Sequence, residues 1–135
     1  MSGEKILIVE DDAILAIHLQ SQLQKFGFLV DPPVATGEDA INSVKKYPPD
    51  LILMDIQLAS HMTGIEAAKK INEIAAIPIV YLSAYSDKRR LEEAKLTMPF
   101  GYLLKPIQTR ELYTTLEVIL HKHKVDNQPP DKEFS

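Results

Sequence analysis

Five residues of this chain have side chains suited to chemistry: Glu10, Asp11, Asp55, Ser83 and Lys105. Three carboxylates, a hydroxyl and an ammonium do little while they are scattered along 135 residues. Each, however, closes a short apolar run: "KILIVE" with the two acids that follow, "DLILMD", "IPIVYLS" and "FGYLLKP". If those runs are neighbouring strands, their ends meet. Clustered carboxylates repel one another in a low-dielectric pocket, and without counter-charge some must take up protons. A hard divalent cation relieves the repulsion, and Mg²⁺ suits one or two carboxylates, other oxygen ligands and retained water. Glu10, Asp11 and Asp55 bring about three negative charges, which Lys105 and a dication would cancel. A phosphoryl group delivered to Asp55 would meet cation, ammonium, hydroxyl and backbone N–H, the groups that stabilise it in transfer. Carboxylates are known acceptors, so Asp55 reads as a nucleophile at a strand tip.

Taken singly, each residue has a plainer role. Acids after a first strand are commonly helix caps, and Asp12 is read as one. A Ser after a strand is ordinarily a turn residue, a Lys-Pro a loop, and Tyr102 packing. The agreement of four strand ends on one chemistry is what favours the phosphoryl and metal reading.

Those ends need elements to carry them. "AILAIHLQSQLQKF" (13–26) repeats at helical spacing, with Leu15, Leu19, Leu23 and Phe26 on one face. "FLVDPPV" (28–34) is a poor strand, because Pro32 and Pro33 cannot donate to a ladder; an edge position tolerates them. "TGED" (36–39) and "TGIE" (63–66) carry capping-box patterns, and the helix opened by the first aligns Ala40, Val44 and Tyr47. "SDKRRLEEAKLTM" (86–98) predicts a helix with Leu91, Ala94 and Met98 inward. "TRELYTTLEVILHKH" (109–123) predicts another, with Leu112, Leu116, Ile119 and Leu120 on one side. Strand and helix thus alternate five times. That order predicts an α/β fold: a doubly wound five-stranded parallel sheet with helices on both faces. The flavodoxin-like strand order 2-1-3-4-5 places the proline-interrupted strand at an edge. Residues 1–123 make one domain, and the polar tail 124–135 is expected to be disordered.

Composition narrows the function. A net charge of -4, from 15 basic and 19 acidic residues, argues against direct nucleic-acid binding. The absence of cysteine excludes disulfides and thiolate metal sites, and fits a cytoplasmic location. No apolar run approaches the roughly 20 residues of a membrane span, and acids precede any signal-type segment. His121 and His123, two apart on a helix, face different sides and make no metal pair. Neither a dinucleotide fingerprint nor a P-loop is present.

In order and spacing, "ILIVEDD", "LILMDIQL", "YLSAYSD" and "GYLLKPI" resemble the receiver domain of two-component response regulators over about residues 4–123. The resemblance implies that Asp55 accepts a phosphoryl group from a histidine kinase or phosphotransfer protein. It implies Mg²⁺, for which Mn²⁺ could substitute, on Glu10, Asp11, Asp55 and the backbone carbonyl of Gln57. Ser83, Lys105 and the backbone N–H groups of Ile56 and Ala84 would bind phosphate oxygens. Ser83 and Tyr102 would act as the switch pair, repacking a face of helix 4, strand 5 and helix 5 that meets a downstream protein or a second copy. The Lys105–Pro106 bond is expected to be cis. One departure is the loop after Asp55, which carries Thr63-Gly64 where an Asp-Gly pair is usual; a capping Thr can replace a capping Asp. Phe100-Gly101 before Tyr102 is another, with a bearing on how freely that ring swings.

Two further classes compete with this signalling switch, which would not be an enzyme in its own right. A metal-dependent aspartyl-phosphate hydrolase would need a second Asp two residues after the nucleophile, where Gln57 stands. A phosphate-independent module would have no use for the intact acidic set. The cognate kinase, the stimulus and the target are not legible, nor is whether the chain stands alone or is part of a longer regulator.

Overall fold

The computed structural model describes residues 3–126. The elements run β1 (Lys5–Val9), α1 (Ala13–Lys25), β2 (Leu29–Val30), α2 (Gly37–Lys46), β3 (Leu51–Asp55), α3 (Gly64–Ile74), β4 (Ile79–Ser83), α4 (Lys88–Ala94), β5 (Gly101–Leu104) and α5 (Thr109–Asp126). Short 3-10 turns, Tyr85–Asp87 and Lys95–Thr97, flank α4. The strands are parallel, in the order β2-β1-β3-β4-β5.

The apolar runs are continuous because both sheet faces are covered. Alternate residues feed two cores. Leu7, Val9, Ile52, Met54 and Tyr81 pack with Ala40 and Val44 of α2 and with Ile65, Ala68 and Ile71 of α3. On the other face Ile6, Ile8, Leu51, Leu53, Val80, Leu82 and Leu103 meet Leu19 and Leu23 of α1 and Leu112 and Leu116 of α5. This two-sided burial holds β1, β3 and β4 rigidly, and their carboxyl ends with them.

Local chemistry sets the element ends. The edge strand β2 is two residues long; after Pro32-Pro33 the chain rejoins β1 at Val34, which accepts from Glu10 N–H (2.9 Å) and donates to Ile8 (3.0 Å). On α1, Ala16, Leu19 and Leu23 are the buried residues, while Leu15 and the C-cap Phe26 are half-buried. Thr36 caps α2 by accepting from Asp39 N–H. Tyr47, expected on the inner face of that helix, is its C-cap and exposed.

The helix expected over 86–98 is shorter. It begins after a 3-10 turn and gives way to another at Lys95, and Met98 points outward with 81% exposure and left-handed backbone (φ 56°, ψ 54°). Pro99 is the cause, since the residue before a proline is disfavoured in the α region. Thr97 reinforces the stop: its hydroxyl donates to Ala94 C=O and bonds the Tyr81 hydroxyl, both at 2.7 Å. At the other terminus α5 runs to Asp126, three residues past the expected end at His123. The rest of the expected tail, 127–135, lies outside the described residues. Among the described residues no helix is long and apolar enough to cross a membrane.

Candidate functional site: an acidic cradle at the strand tips

Three consecutive acids leave β1 in three directions. Glu10 is buried, 3% exposed, and its Oε2 accepts from Asp12 N–H at 3.0 Å. Asp12 turns back to cap α1, its Oδ1 accepting from Ile14 N–H (3.0 Å) and Leu15 N–H (3.2 Å). Asp11 stays exposed, and its Oδ2 accepts from Ala59 N–H at 3.2 Å, tying the acids of β1 to the loop after β3. Asp55, the last residue of β3, is 3% exposed. Its Oδ1 accepts from Gln57 N–H (3.1 Å) and its Oδ2 from the Lys105 ammonium (3.2 Å). That ammonium also lies 2.9 Å from Glu10 Oε1. The Lys105 side chain is aimed by its own backbone, whose N–H donates to Ser83 C=O at 2.7 Å, and the Lys105–Pro106 peptide is cis.

One carboxylate oxygen each from Glu10, Asp11 and Asp55 lies within 4.8 Å of the others. Among the described residues a single ammonium, that of Lys105, serves two of these groups. Burial pushes Asp55 up to about 7, and the neighbouring Glu10 carboxylate adds to the rise; Lys105 and the Gln57 amide only partly oppose it. Burial pulls Lys105 down, but Glu10 and Asp55 outweigh it and hold the ammonium above its ordinary range. The cradle is therefore short of positive charge. Glu10 Oε1 is buried, and although the ammonium is close, no hydrogen bond is aligned on it. An all-oxygen donor set with excess negative charge and an orphaned carboxylate oxygen fits a hard divalent cation.

The structure brings together Glu10, Asp11, Asp55 and Lys105, and places the other expected residues around them. Ser83 is buried at the end of β4, opposite Leu104 in register, while Asp55 pairs with Leu82. Tyr102 is half-exposed on β5 and stacks on buried Tyr81 (ring centroids 6.1 Å apart, 26° between planes). One backbone donor needs correction. Ile56 N–H, expected to face phosphate, donates to Leu82 C=O at 3.1 Å, because the β3–β4 ladder runs one residue past the strand. The amide that faces the Asp55 carboxylate is that of Gln57. Ala84 N–H is also engaged, donating to Asp87 Oδ2 at 2.7 Å.

Two site-shaping residues escaped the sequence reading. A Cβ on Gly64 would lie 1.9 Å from the Asp55 carbonyl oxygen, so α3 can start this close to Asp55 only with glycine there. Thr63 fixes that start through a complete capping box with Glu66 (2.9 and 3.1 Å). The Thr-Gly pair signalled a helix start, but not contact with the backbone of Asp55. The other is Asp87, whose four-residue spacing from Ser83 carried no signal by itself.

The model of the response regulator receiver domain matches residues 6–117. The chain is 35% identical over 127 residues to the transcriptional regulatory protein ZraR of Escherichia coli, covering 93% of this chain and 28% of that protein. It is 28% identical over 120 residues to the transcriptional regulatory protein PdtaR of Mycobacterium tuberculosis, covering 89% and 58%. The chain thus spans little more than half of one curated relative and under a third of the other. Among solved structures it is similar to the N-terminal domain of a response regulator/sensory box/GGDEF protein from Carboxydothermus hydrogenoformans (TM-score 0.84, 35% identity, 93% and 100% covered). It is also similar to the receiver domain of the sensor histidine kinase PA1611 from Pseudomonas aeruginosa, which has magnesium coordinated in its active-site cleft (TM-score 0.81, 28% identity, 89% and 99% covered). With the β2-β1-β3-β4-β5 sheet and an acidic cradle at its carboxyl edge, the chain belongs to the response regulator receiver domain family of two-component signalling.

Proposed function

We propose that Asp55 accepts a phosphoryl group from a phosphohistidine of a histidine kinase or phosphotransfer protein. One observation carries this most: Glu10, Asp11 and Asp55 offer oxygens within 4.8 Å of one another, with the Lys105 ammonium on Asp55. An Asp55 oxygen attacks phosphorus, the P–N bond of the donor breaks, and the imidazole keeps the electron pair and later a proton. The product is an acyl phosphate on a strand tip that two-sided packing holds still. Lys105 and the Gln57 amide, already directed at the Asp55 carboxylate, follow the phosphoryl oxygens, and the Ser83 hydroxyl joins them. Mg²⁺, or Mn²⁺ in its place, would be held by Glu10, Asp11, Asp55 and the Gln57 carbonyl and would neutralise the charge that builds on the transferring group.

Ser83 and Tyr102 then carry the event outward. They sit on adjacent strands, β4 and β5, and Tyr102 borders an exposed apolar face of Leu96, Met98, Phe100 and Leu104. A downstream protein, or a second copy, reads that face. Residues 1–123 form the signalling domain, working in the cytoplasm as a switch with only slow self-dephosphorylation. Gln57 at the second position after Asp55 cannot serve as the general acid of a hydrolase. A small phosphodonor such as acetyl phosphate with Mg²⁺ should give a stoichiometric, base-labile adduct that Asp55→Asn abolishes. Multiple turnover on phosphomonoesters would instead indicate a hydrolase, and no adduct without Mg²⁺ binding a phosphate-independent module.

A further inference from the structure

Asp87 opens α4 as its N-cap residue, yet its side chain caps none of that helix's amides. The carboxylate turns back and accepts from Ala84 N–H at 2.7 Å, a short charge-assisted bond. It is 6% exposed, so the contact is shielded from competing water. Ala84 directly follows Ser83 at the carboxyl end of β4, one strand from Asp55. The amide adjoining the phosphoryl cradle is therefore occupied by an anion of the protein itself.

We propose that Asp87 is an internal competitor for the phosphoryl group: it occupies the Ala84 amide in the unphosphorylated chain and is displaced when a phosphoryl oxygen takes its place. This rests on the phosphoryl-acceptor role of Asp55. Two anions cannot both accept from one N–H at full strength, so phosphoryl capture must release Asp87. The freed carboxylate stands immediately ahead of α4, where the N–H groups of Arg89 and Arg90 occupy the second and third helical positions that an N-cap side chain serves. One hydrogen-bond exchange thereby links the chemistry at β3 to the start of α4. Asp87 is a positioning residue in this scheme, and it sets how tightly the phosphoryl group is held.

The test uses the full chain, Mg²⁺ and beryllofluoride as phosphoryl mimic, followed by amide NMR. In the wild type the Ala84 amide should shift on binding, and the Arg89 and Arg90 amides should gain protection from exchange. Asp87→Ala should bind beryllofluoride about 10-fold more tightly, since a hydrogen bond to a charged group no longer has to be broken. Asp87→Asn, a neutral acceptor of the same shape, should fall between, and it keeps the test open if the alanine variant unfolds. Asp87→Ala should not show the new protection at Arg89 and Arg90, whereas Asp87→Asn, whose side-chain oxygen still accepts at an N-cap, should keep it. Equal or weaker binding by folded Asp87 variants would overturn the competition while leaving Asp55 as acceptor. A wild-type chain that binds no beryllofluoride would overturn both.

Discussion

β3 and β5 belong to one sheet and present opposite surfaces. Every residue of β3, from Leu51 to Asp55, is buried, whereas in β5 only Leu103 is, with Tyr102 and Leu104 turned outward. Around the tip of β3, carboxylates, an ammonium and backbone amides hold one another within about 3 Å. Beside β5, α4 is seven residues long, ends in a 3-10 turn, and leaves Leu96, Met98 and Phe100 exposed. The proposed phosphoryl transfer needs the first arrangement, since a nucleophile must be aimed. The proposed switching needs the second, since few buried contacts mean a low cost of rearrangement. Substitutions near Asp55 should therefore cost far more than substitutions along β5.

The largest effect is expected at Lys105. Lys105→Ala removes the ammonium that pairs with Asp55 and Glu10 and should slow phosphorylation by acetyl phosphate about 10²-fold, the usual cost of one aimed donor. A loss below threefold would show that the ammonium is only a surface partner. Next is Gly64→Ala. The new Cβ meets backbone, not a flexible side chain, so unfolding by urea should show about 1–3 kcal/mol lost, with a slower phosphorylation rate beside it. An unchanged midpoint would mean that the start of α3 can shift freely.

The third expectation concerns pH. Asp55 is pushed up to about 7 from 3.8, so the metal-free folded chain keeps a proton that the unfolded chain releases. The stabilising contribution is complete below about 3.8 and disappears as pH rises through about 7. Asp55→Asn, neutral throughout, should gain on the wild type across that window in chelator. A difference constant with pH would contradict the buried, proton-holding carboxyl.

β5 and its approach should respond least. Met98→Gly relieves a left-handed backbone, whose cost of roughly 1–2 kcal/mol exceeds the penalty of an added glycine, and should stabilise by about 0.5–1 kcal/mol. Leu104→Ser should change stability by no more than about 0.5 kcal/mol and leave phosphorylation intact. A large loss of phosphorylation in either variant would erase the contrast between the two strands.

How much of this the sequence disclosed follows the same division. Strand order, both core faces and the meeting of Glu10, Asp11, Asp55 and Lys105 were legible, because continuous apolar runs with charged ends fit little besides central parallel strands covered on both faces. What escaped depends on backbone at close range. Ile56 and Gln57 differ by one residue in which amide remains for the site, a matter of where the ladder stops. Gly64 is defined by an approach to Asp55, and Asp87 by the direction of one carboxylate. Met98 leaves the inner face because Pro99 stops the helix before the apolar spacing runs out.

The central claim, that the β3 carboxylate takes the phosphoryl group, can be tested directly at the residue. The chain is incubated with acetyl phosphate and Mg²⁺, reduced with borohydride to convert an acyl phosphate to the alcohol, digested and sequenced by mass spectrometry. Conversion at residue 55 alone is predicted. Conversion at Glu10 or Asp11, or none despite a phosphorylated intact mass, would contradict it.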